Sequence, residues 1–328
     1  MVGNGDGTFT LQWTFLAGSL AKLMDITFGD LNGDSTLDLI FTDYFAYHVG
    51  ILSGYGNGTF DKLITLSTGN NSHPYGITVA NFNGDNYLDI AVANEYGNNV
   101  GVFLGKGNRT FSAQTTFATG FSSQPKFIVA ADFNNDGYID IAVVNFVDRN
   151  IGIFLGHGNG MFEAQQTLFT GGYYYVNGFA IGDFNSDGHL DAAFPYRYYY
   201  TNAGGLGMLF GYENGTLTGR KIVNMGTTSV MSKITVGDFN GDGHLDVVVS
   251  SGFNLGLNIL VGDGNGNFGL QTMTWNQSSG SYIMLNVGDL NGDGYQDIVY
   301  VDDSANLYIF VNTGQCYPNK TLETSTLV

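Results

Sequence analysis

Residues 132–140 read DFNNDGYID, and five further segments repeat the pattern: DLNGDSTLD (30–38), NFNGDNYLD (81–89), DFNSDGHLD (183–191), DFNGDGHLD (238–246) and DLNGDGYQD (289–297). Their first residues stand 51, 51, 51, 55 and 51 positions apart. Self-similarity at a fixed period marks a repeat architecture, in which each unit buries its apolar faces against its neighbours. A chain of 328 residues would otherwise suggest two domains. The repeat instead predicts one domain over 1–312 and a polar tail over 313–328.

The unit from Ser72 to Gly120 shows the local logic. ITVAN (77–81) precedes the acidic loop and LDIAVAN (88–94) follows it; VGVFLG (100–105) and AQTTFATG (113–120) come after the turns EYGNN and KGNRTF. Four short runs rich in Val, Ile, Phe and Thr, divided by Gly/Asn turns, predict a four-stranded antiparallel meander with strands A to D. Strands B and C are apolar on successive residues, as in IAVAN (90–94), which predicts cover on both faces. Sheets packed face to face around an axis meet that demand, so the expected fold is an all-β propeller of four-stranded antiparallel blades. The small residues Ala91, Ala93 and Gly101 would let neighbouring blades approach.

Six A–B–C sets are present, but D strands follow C only at 60–67, 111–119, 162–170, 217–224 and 268–275. GNGDGTFTLQWTFLAG (3–18) matches the C–D turn and D strand of the other units. Docked beside NLYIFV (306–311), residues 9–17 would complete a sixth blade and close a six-bladed ring. The alternative is a fragment of a seven-bladed or longer array.

Asp or Asn fills positions 1, 3, 5 and 9 of every loop, and position 7 offers a backbone carbonyl. The donors are Asp30, Asn32, Asp34, Thr36 and Asp38; Asn81, Asn83, Asp85, Tyr87 and Asp89; Asp132, Asn134, Asp136, Tyr138 and Asp140; Asp183, Asn185, Asp187, His189 and Asp191; Asp238, Asn240, Asp242, His244 and Asp246; and Asp289, Asn291, Asp293, Tyr295 and Asp297. Hard oxygen ligands in this number suit Ca²⁺, up to one ion per loop. Gly at position 6 permits the bend that gathers early and late ligands. Asn-Gly and Asp-Gly turn a hairpin without metal, but a bare turn has no need of carboxylates at positions 1 and 9, which repel without a cation. Asn81 in place of Asp, with Asn86 and Ser35 in place of Gly, predicts that loops 81–89 and 30–38 bind most weakly. Position 9 leads directly into strands such as VVVSS (247–251), which argues against a helix-flanked EF-hand or dockerin loop.

The string ITVANFNGDNYLDIAVANEYGNNVGVFLGKGNRTF (77–111), echoed five more times, resembles the FG-GAP/VCBS-type repeat and is similar to the calcium-bearing blades of integrin alpha-chain propellers. The resemblance spans roughly residues 3–312. It implies Ca²⁺ in the A–B loops of one face and ligand contact through the D–A and B–C loops of the other. Two departures limit it: Val-Ala-Asn (92–94) stands where integrins carry Gly-Ala-Pro, and integrins have seven blades. Integrin signalling partners therefore do not carry over.

The formal charge of −18 and only 11 Lys plus Arg exclude a basic nucleic-acid footprint. The six loops hold 17 of the 29 acidic residues, so six Ca²⁺ ions would bring the charge to about −6. Carboxylate-poor calcium loops suit extracellular calcium, and Asn-x-Ser/Thr sequons occur at Asn57, Asn70, Asn108, Asn214, Asn276 and Asn319, so an extracellular or cell-surface location is expected. Cys316 is the sole cysteine and no apolar run reaches 18 residues, which predicts no membrane insertion. Met1–Phe9 lacks signal-peptide character, so secretion implies a longer precursor. No HExxH, GxSxG or P-loop pattern is present, and the five His are scattered, so no enzyme is expected.

The four extra residues of the unit at 183–217 align with the B–C connection, around Tyr196, Arg197, Tyr198, Tyr199 and Tyr200; the preceding D–A connection holds Tyr173, Tyr174 and Tyr175. Aromatics with polar tips and Arg are favoured interface residues, so these eight are the candidate ligand contacts, with packing between blades as the competing explanation. The expected function is a calcium-stabilised extracellular binding or adhesion module for glycan or protein. A structural spacer and a polysaccharide-active enzyme are the alternatives.

Overall fold

The computed structural model describes residues 2–3, 9–10, 21–57, 59–170, 174–176, 178–198, 204–224, 231–251, 257–273, 284–289, 294–301, 307–312 and 324–327. Among them every regular element is a strand, and no helix is long and apolar enough to cross a membrane. A short pair, β1 (Val2–Gly3) and β2 (Phe9–Thr10), precedes six larger sheets. The first three are β3–β6 (Leu23–Gly29, Asp38–Asp43, His48–Leu52, Ile64–Ser67), β7–β10 (Pro74–Ala80, Asp89–Asn94, Asn99–Phe103, Thr115–Ala118) and β11–β14 (Pro125–Ala131, Asp140–Asn145, Asn150–Phe154, Gln166–Phe169). The fourth is β15–β19 (Tyr174–Val176, Ala180–Gly182, Asp191–Tyr198, Gly204–Gly211, Leu217–Asn224). The last two are β20–β23 (Met231–Gly237, Asp246–Ser251, Leu257–Gly262, Phe268–Met273) and β24–β27 (Met284–Gly288, Asp297–Val301, Leu307–Phe310, Thr324–Leu327). Each is an antiparallel meander in chain order, except that β15 and β16 both pair with β17.

Pro74 and Pro125 open β7 and β11, where a missing N–H is tolerated, and the ladder slips between Pro74 and Ile77 and between Pro125 and Phe127. Ladder slips recur near the start of the first strand in other sheets, between Leu23 and Ile26 and between Met231 and Lys233, where no proline stands. The D strands of the fourth and fifth sheets start where expected, at Leu217 and Phe268, but those of the first three start later: Phe60, Phe111 and Phe162 make isolated bridges to Gly54, Gly105 and Gly156, and regular pairing resumes only at Ile64, Thr115 and Gln166.

The chain divides into two compact units, one comprising Met1–Val2, Leu11–Gly171 and Glu213–Thr216 and the other Gly3–Thr10, Gly172–Tyr212 and Leu217–Val328. In the first, neighbouring sheets share cores, and successive residues of one strand feed different ones. Ile90 and Val92 of β8 pack with Ile40, Val49 and Ile51, whereas Ala91 and Ala93 pack with Ile141, Val143 and Phe154. This is why β8 is apolar from Ile90 to Ala93, and why alanines on one side suffice. In the second unit Val247 and Val249 of β21 join Leu206 and Met208, while Val248 joins Ile298 and Phe310.

The sixth sheet corrects the expected docking of the N-terminal strand. The outer neighbour of β26 is β27, with Phe310 opposite Thr324 and Leu307 opposite Leu327, and β2 pairs with β1 instead. Residues 324–327 are thus a strand rather than tail, and 11–17 lie outside the described residues. The physical reason is chain economy: a strand returning from the same chain end closes a far shorter loop than one brought from the other terminus.

Candidate functional site

Each acidic loop leads into the strand that pairs next in its sheet, and the first five loops are folded by their own side chains. In the third loop Asp132 Oδ1 accepts the Asp136 amide (3.1 Å) and Oδ2 the Gly137 amide (2.8 Å). Asp136 Oδ1 accepts the Tyr138 amide (2.8 Å), and Asn134 Nδ2 donates to Asp136 Oδ2 (2.9 Å). Loops 183–191 and 238–246 repeat this network bond for bond. In loop 30–38 the Thr36 hydroxyl also donates to Asp34 Oδ1.

Position 6 is left-handed in every loop, as the Gly preference predicts: φ is 86° at Gly137 and 84° at Gly188, but also 64° at Ser35 and 68° at Asn86. Position 4 is left-handed in the first five loops, including Asn135 (56°) and Ser186 (58°). In loop 81–89, Asn81 has an amide nitrogen where Asp132 has Oδ2, so it cannot accept the position 6 amide by that atom; its Oδ1 takes Gly84 and Asp85.

Position 9 differs from the rest. Asp38, Asp89, Asp140, Asp191, Asp246 and Asp297 are all fully buried. Asp140 Oδ2 accepts the Phe133 amide (2.8 Å) and Oδ1 the Gly156 amide just beyond β13 (2.7 Å). The same clasp joins Asp89 to Phe82 and Gly105, Asp191 to Phe184 and Gly211, and Asp246 to Phe239 and Gly262. Burial pushes the Asp89, Asp140 and Asp191 carboxyls up to about 6, against the pull of those amides; the nearby loop carboxylates Asp85, Asp136 and Asp187 push the same way.

Sequence reading missed two partners of this clasp. The position 2 residue is a core plug: Leu31, Phe82, Phe133, Phe184 and Phe239 are 1–4 % exposed. The glycine that closes the C strand is required sterically, since a Cβ at Gly105 or Gly156 would lie 2.3 Å from the Leu88 or Ile139 carbonyl oxygen. The signal was present as a Gly recurring sixteen residues after position 9. Position 7 side chains also have a place: the rings of Tyr87, Tyr138 and His244 cover Gly107, Gly158 and Gly264 of the C–D turns.

The donor chemistry fits a hard cation. Asp132, Asn134, Asp136, Asp140 and the Tyr138 carbonyl, with their counterparts in each loop, are the residues that would hold Ca²⁺, whose charge would offset the mutual repulsion of the carboxylates. Oxygens that accept one amide retain lone pairs. Among the described residues no three His, Cys, Asp or Glu side chains gather into a metal-binding group, so a cation here would draw on Asn and backbone oxygens as well. Asn291 and Asp293 lie outside the described residues.

The tyrosine-rich segment is built differently from its expectation. The clasp spans twenty residues in this sheet against sixteen in the first, second, third and fifth, and the extra residues lengthen the β17–β18 hairpin to eight residues per strand. Tyr174, Tyr175 and Val176 stand opposite Tyr198, Arg197 and Tyr196. Tyr196 is 4 % exposed and its ring covers Gly205, so it is packing rather than ligand surface. Tyr173, Tyr199 and Tyr200 lie outside the described residues.

Three sequons have a structural explanation. Asn57, Asn108 and Asn214 accept the amide and hydroxyl of Thr59, Thr110 and Thr216 within C–D turns. Asn159 makes the equivalent bond to the Met161 amide, where no sequon exists, so the turn alone accounts for the Asn.

Antiparallel four-stranded sheets that share cores with their neighbours inside each unit, each carrying one acidic loop, define a β-propeller-like repeat protein. The chain belongs to the FG-GAP repeat family: an FG-GAP-like repeat model matches residues 81–143, 132–194 and 198–249, and an FG-GAP repeat model matches 232–268. No curated protein matches it in sequence. Among solved structures it is similar to virginiamycin B lyase from Staphylococcus aureus (17 % identity, TM-score 0.57, 89 % of this chain and 81 % of that one). It is also similar to the periplasmic gluconolactonase of Pseudomonas aeruginosa (16 %, 0.54, 74 % and 68 %). Both relatives are β-propellers, and at these identities the likeness concerns fold. A Tc holotoxin pore chain of Photorhabdus luminescens matches 95 % of this chain (15 % identity, TM-score 0.44), which spans 14 % of that chain.

Proposed function

We propose that this protein is a calcium-stabilised extracellular binding module whose six sheets form one closed propeller and whose ligand, a glycan or another extracellular protein, docks on the face opposite the acidic loops. The acidic loops carry the calcium reading. Each contributes carboxylate and amide oxygens where a neutral turn would serve, and the position 9 carboxyls, raised first by burial, are pushed further the same way by the loop carboxylates a cation would neutralise. Closure is supported by the first sheet. Ile26 and Phe28 of β3 are 41 % and 50 % exposed, whereas their counterparts in β7, Ile77 (5 % exposed) and the half-buried Val79, pack on the sheet before them.

Support for the ligand face comes from the first unit. Phe45 (54 % exposed), Tyr96 (54 %) and Val147 (44 %) occupy the same place in three successive B–C turns, and Phe121 (97 %) tips a D–A connection. His73 lies among the rings of Tyr44 (4.5 Å), Tyr47 (4.8 Å) and Tyr96 (4.9 Å). Exposed apolar residues on loops of a rigid scaffold are where recognition concentrates.

The calcium reading is tested by thermal melting with excess calcium and with excess chelator. Each occupied site adds RT ln(1 + [L]/Kd), about 2.7 kcal/mol at 100 times Kd, so the midpoint rises with calcium, and an unchanged midpoint overturns it. Glycan-array and pull-down screening with and without calcium tests the ligand face, and loss of the hit in Phe45→Ala/Tyr96→Ala with unchanged melting supports it.

A further inference from the structure

The turn between the third and fourth strands of a sheet leans on the acidic loop of an earlier sheet. The Gly160 amide donates to the Phe82 carbonyl (2.9 Å), and the Gly266 amide to the Phe184 carbonyl (2.9 Å). The residue at this place is Gly58, Gly160, Gly215 and Gly266 in four turns, and Arg109 in the fifth. Arg109 sits at φ 66°, a left-handed conformation that suits glycine and strains an L-residue. Its guanidinium lies 3.5 Å from Asp34 Oδ2, the position 5 carboxylate of loop 30–38, and 3.6 Å from Asp61 Oδ2.

We infer that Arg109 is a built-in counter-ion of the first acidic loop, which sets that loop's affinity for a divalent cation below that of its siblings. The inference rests on the calcium reading of the loops and adds a cause unrelated to the loop's own sequence. Asp34 is shared between the guanidinium and any bound cation, and the fixed positive charge opposes a divalent ion a few ångströms away. A unit charge against Ca²⁺ at about 5–6 Å in water-like dielectric weakens binding about tenfold. The ion pairs themselves are partly exposed, with side chains 30 % and 42 % accessible, so they add little stability and their removal does not threaten the fold. No other described turn brings a cationic side chain to its neighbouring loop in this way, because glycine occupies the place.

The test is a Ca²⁺ titration of the full chain followed by ¹H–¹⁵N TROSY, reading the Gly33 and Ser35 amides for the first loop and Gly137 and Gly188 for the third and fourth. Arg109→Gly restores the residue found in the other turns, Arg109→Asn is neutral and tolerates the left-handed backbone, and Arg109→Lys keeps the charge. The expected result is that Gly33 and Ser35 titrate at about tenfold lower calcium in the Gly and Asn variants than in the native protein, with Gly137 and Gly188 unmoved and the Lys variant close to native. Equal first-loop midpoints in native protein and both neutral variants, while the other loops titrate, overturn the role of Arg109 and leave the calcium reading standing. Failure of every loop to titrate overturns both.

Discussion

Asp140 and Gly156 are joined by a 2.7 Å bond from the Gly156 amide to a fully buried carboxylate, which ties the end of an acidic loop to the end of a strand sixteen residues on. With the Phe133 amide on its other oxygen, this aspartate holds the loop entry, the loop exit and the third strand together.

Asp140→Asn replaces one accepting oxygen by a donor facing a backbone N–H. Urea unfolding should show a loss of about 1–3 kcal/mol in chelator as well as in calcium. A loss seen only with calcium would make Asp140 a ligand and not a clasp.

The pH dependence should change sign with calcium. Asp89, Asp140 and Asp191 have folded-state values of about 6, above the unfolded value of roughly 3.9, so without metal the folded form binds the extra protons between these limits. Stability in chelator therefore rises as pH falls from 7 to 5. With calcium bound, protons compete with the ion and the melting temperature falls over the same range. Melting curves at pH 7, 6 and 5 in both conditions decide this.

Glycine requirements should divide by position. Gly156→Ala places a Cβ 2.3 Å from the Ile139 carbonyl oxygen and should cost about 1–3 kcal/mol or more. Gly269→Ala places a Cβ that meets only the Val261 carbonyl oxygen, at 3.9 Å, and should stay within about 0.5 kcal/mol of native in the same denaturation assay.

Ser35 sits at φ 64°, where glycine relieves strain but loses more entropy on folding. Ser35→Gly should stabilise by about 0.5 kcal/mol, whereas Gly137→Ala, at φ 86°, should destabilise by about 1 kcal/mol. Paired chemical denaturation curves give both numbers.

Removing residues 313–328 deletes β27 and leaves β26 with an unpaired edge, so the truncated protein should aggregate on size-exclusion chromatography or melt earlier. Removing residues 1–10 leaves that ladder intact and should have the smaller effect.

The repeat, the all-β meander and the double-sided burial of strands B and C were open to reading from the chain because each is a property of contiguous residues: a fixed period, apolar runs such as Ile90–Ala93, turns that demand left-handed backbone at Gly137. The acidic loops between the strands were legible for the same reason. What they do was less so. Asp140 looked like one donor among equals until its burial and its bond to Gly156 set it apart, and Tyr196 looked like surface until the lengthened hairpin turned it onto Gly205.

Three further features depend on which sheet edges and turns meet in space. The outer strand of the sixth sheet comes from 324–327 and not from 9–17. A repeat signature marks a D-like strand but does not say which open edge receives it. His73 and the rings around it come from separate turns, and Arg109 reaches Asp34 across 75 residues. Such meetings leave no periodic trace in the chain, because packing of successive sheets, and not spacing along the backbone, brings the partners together.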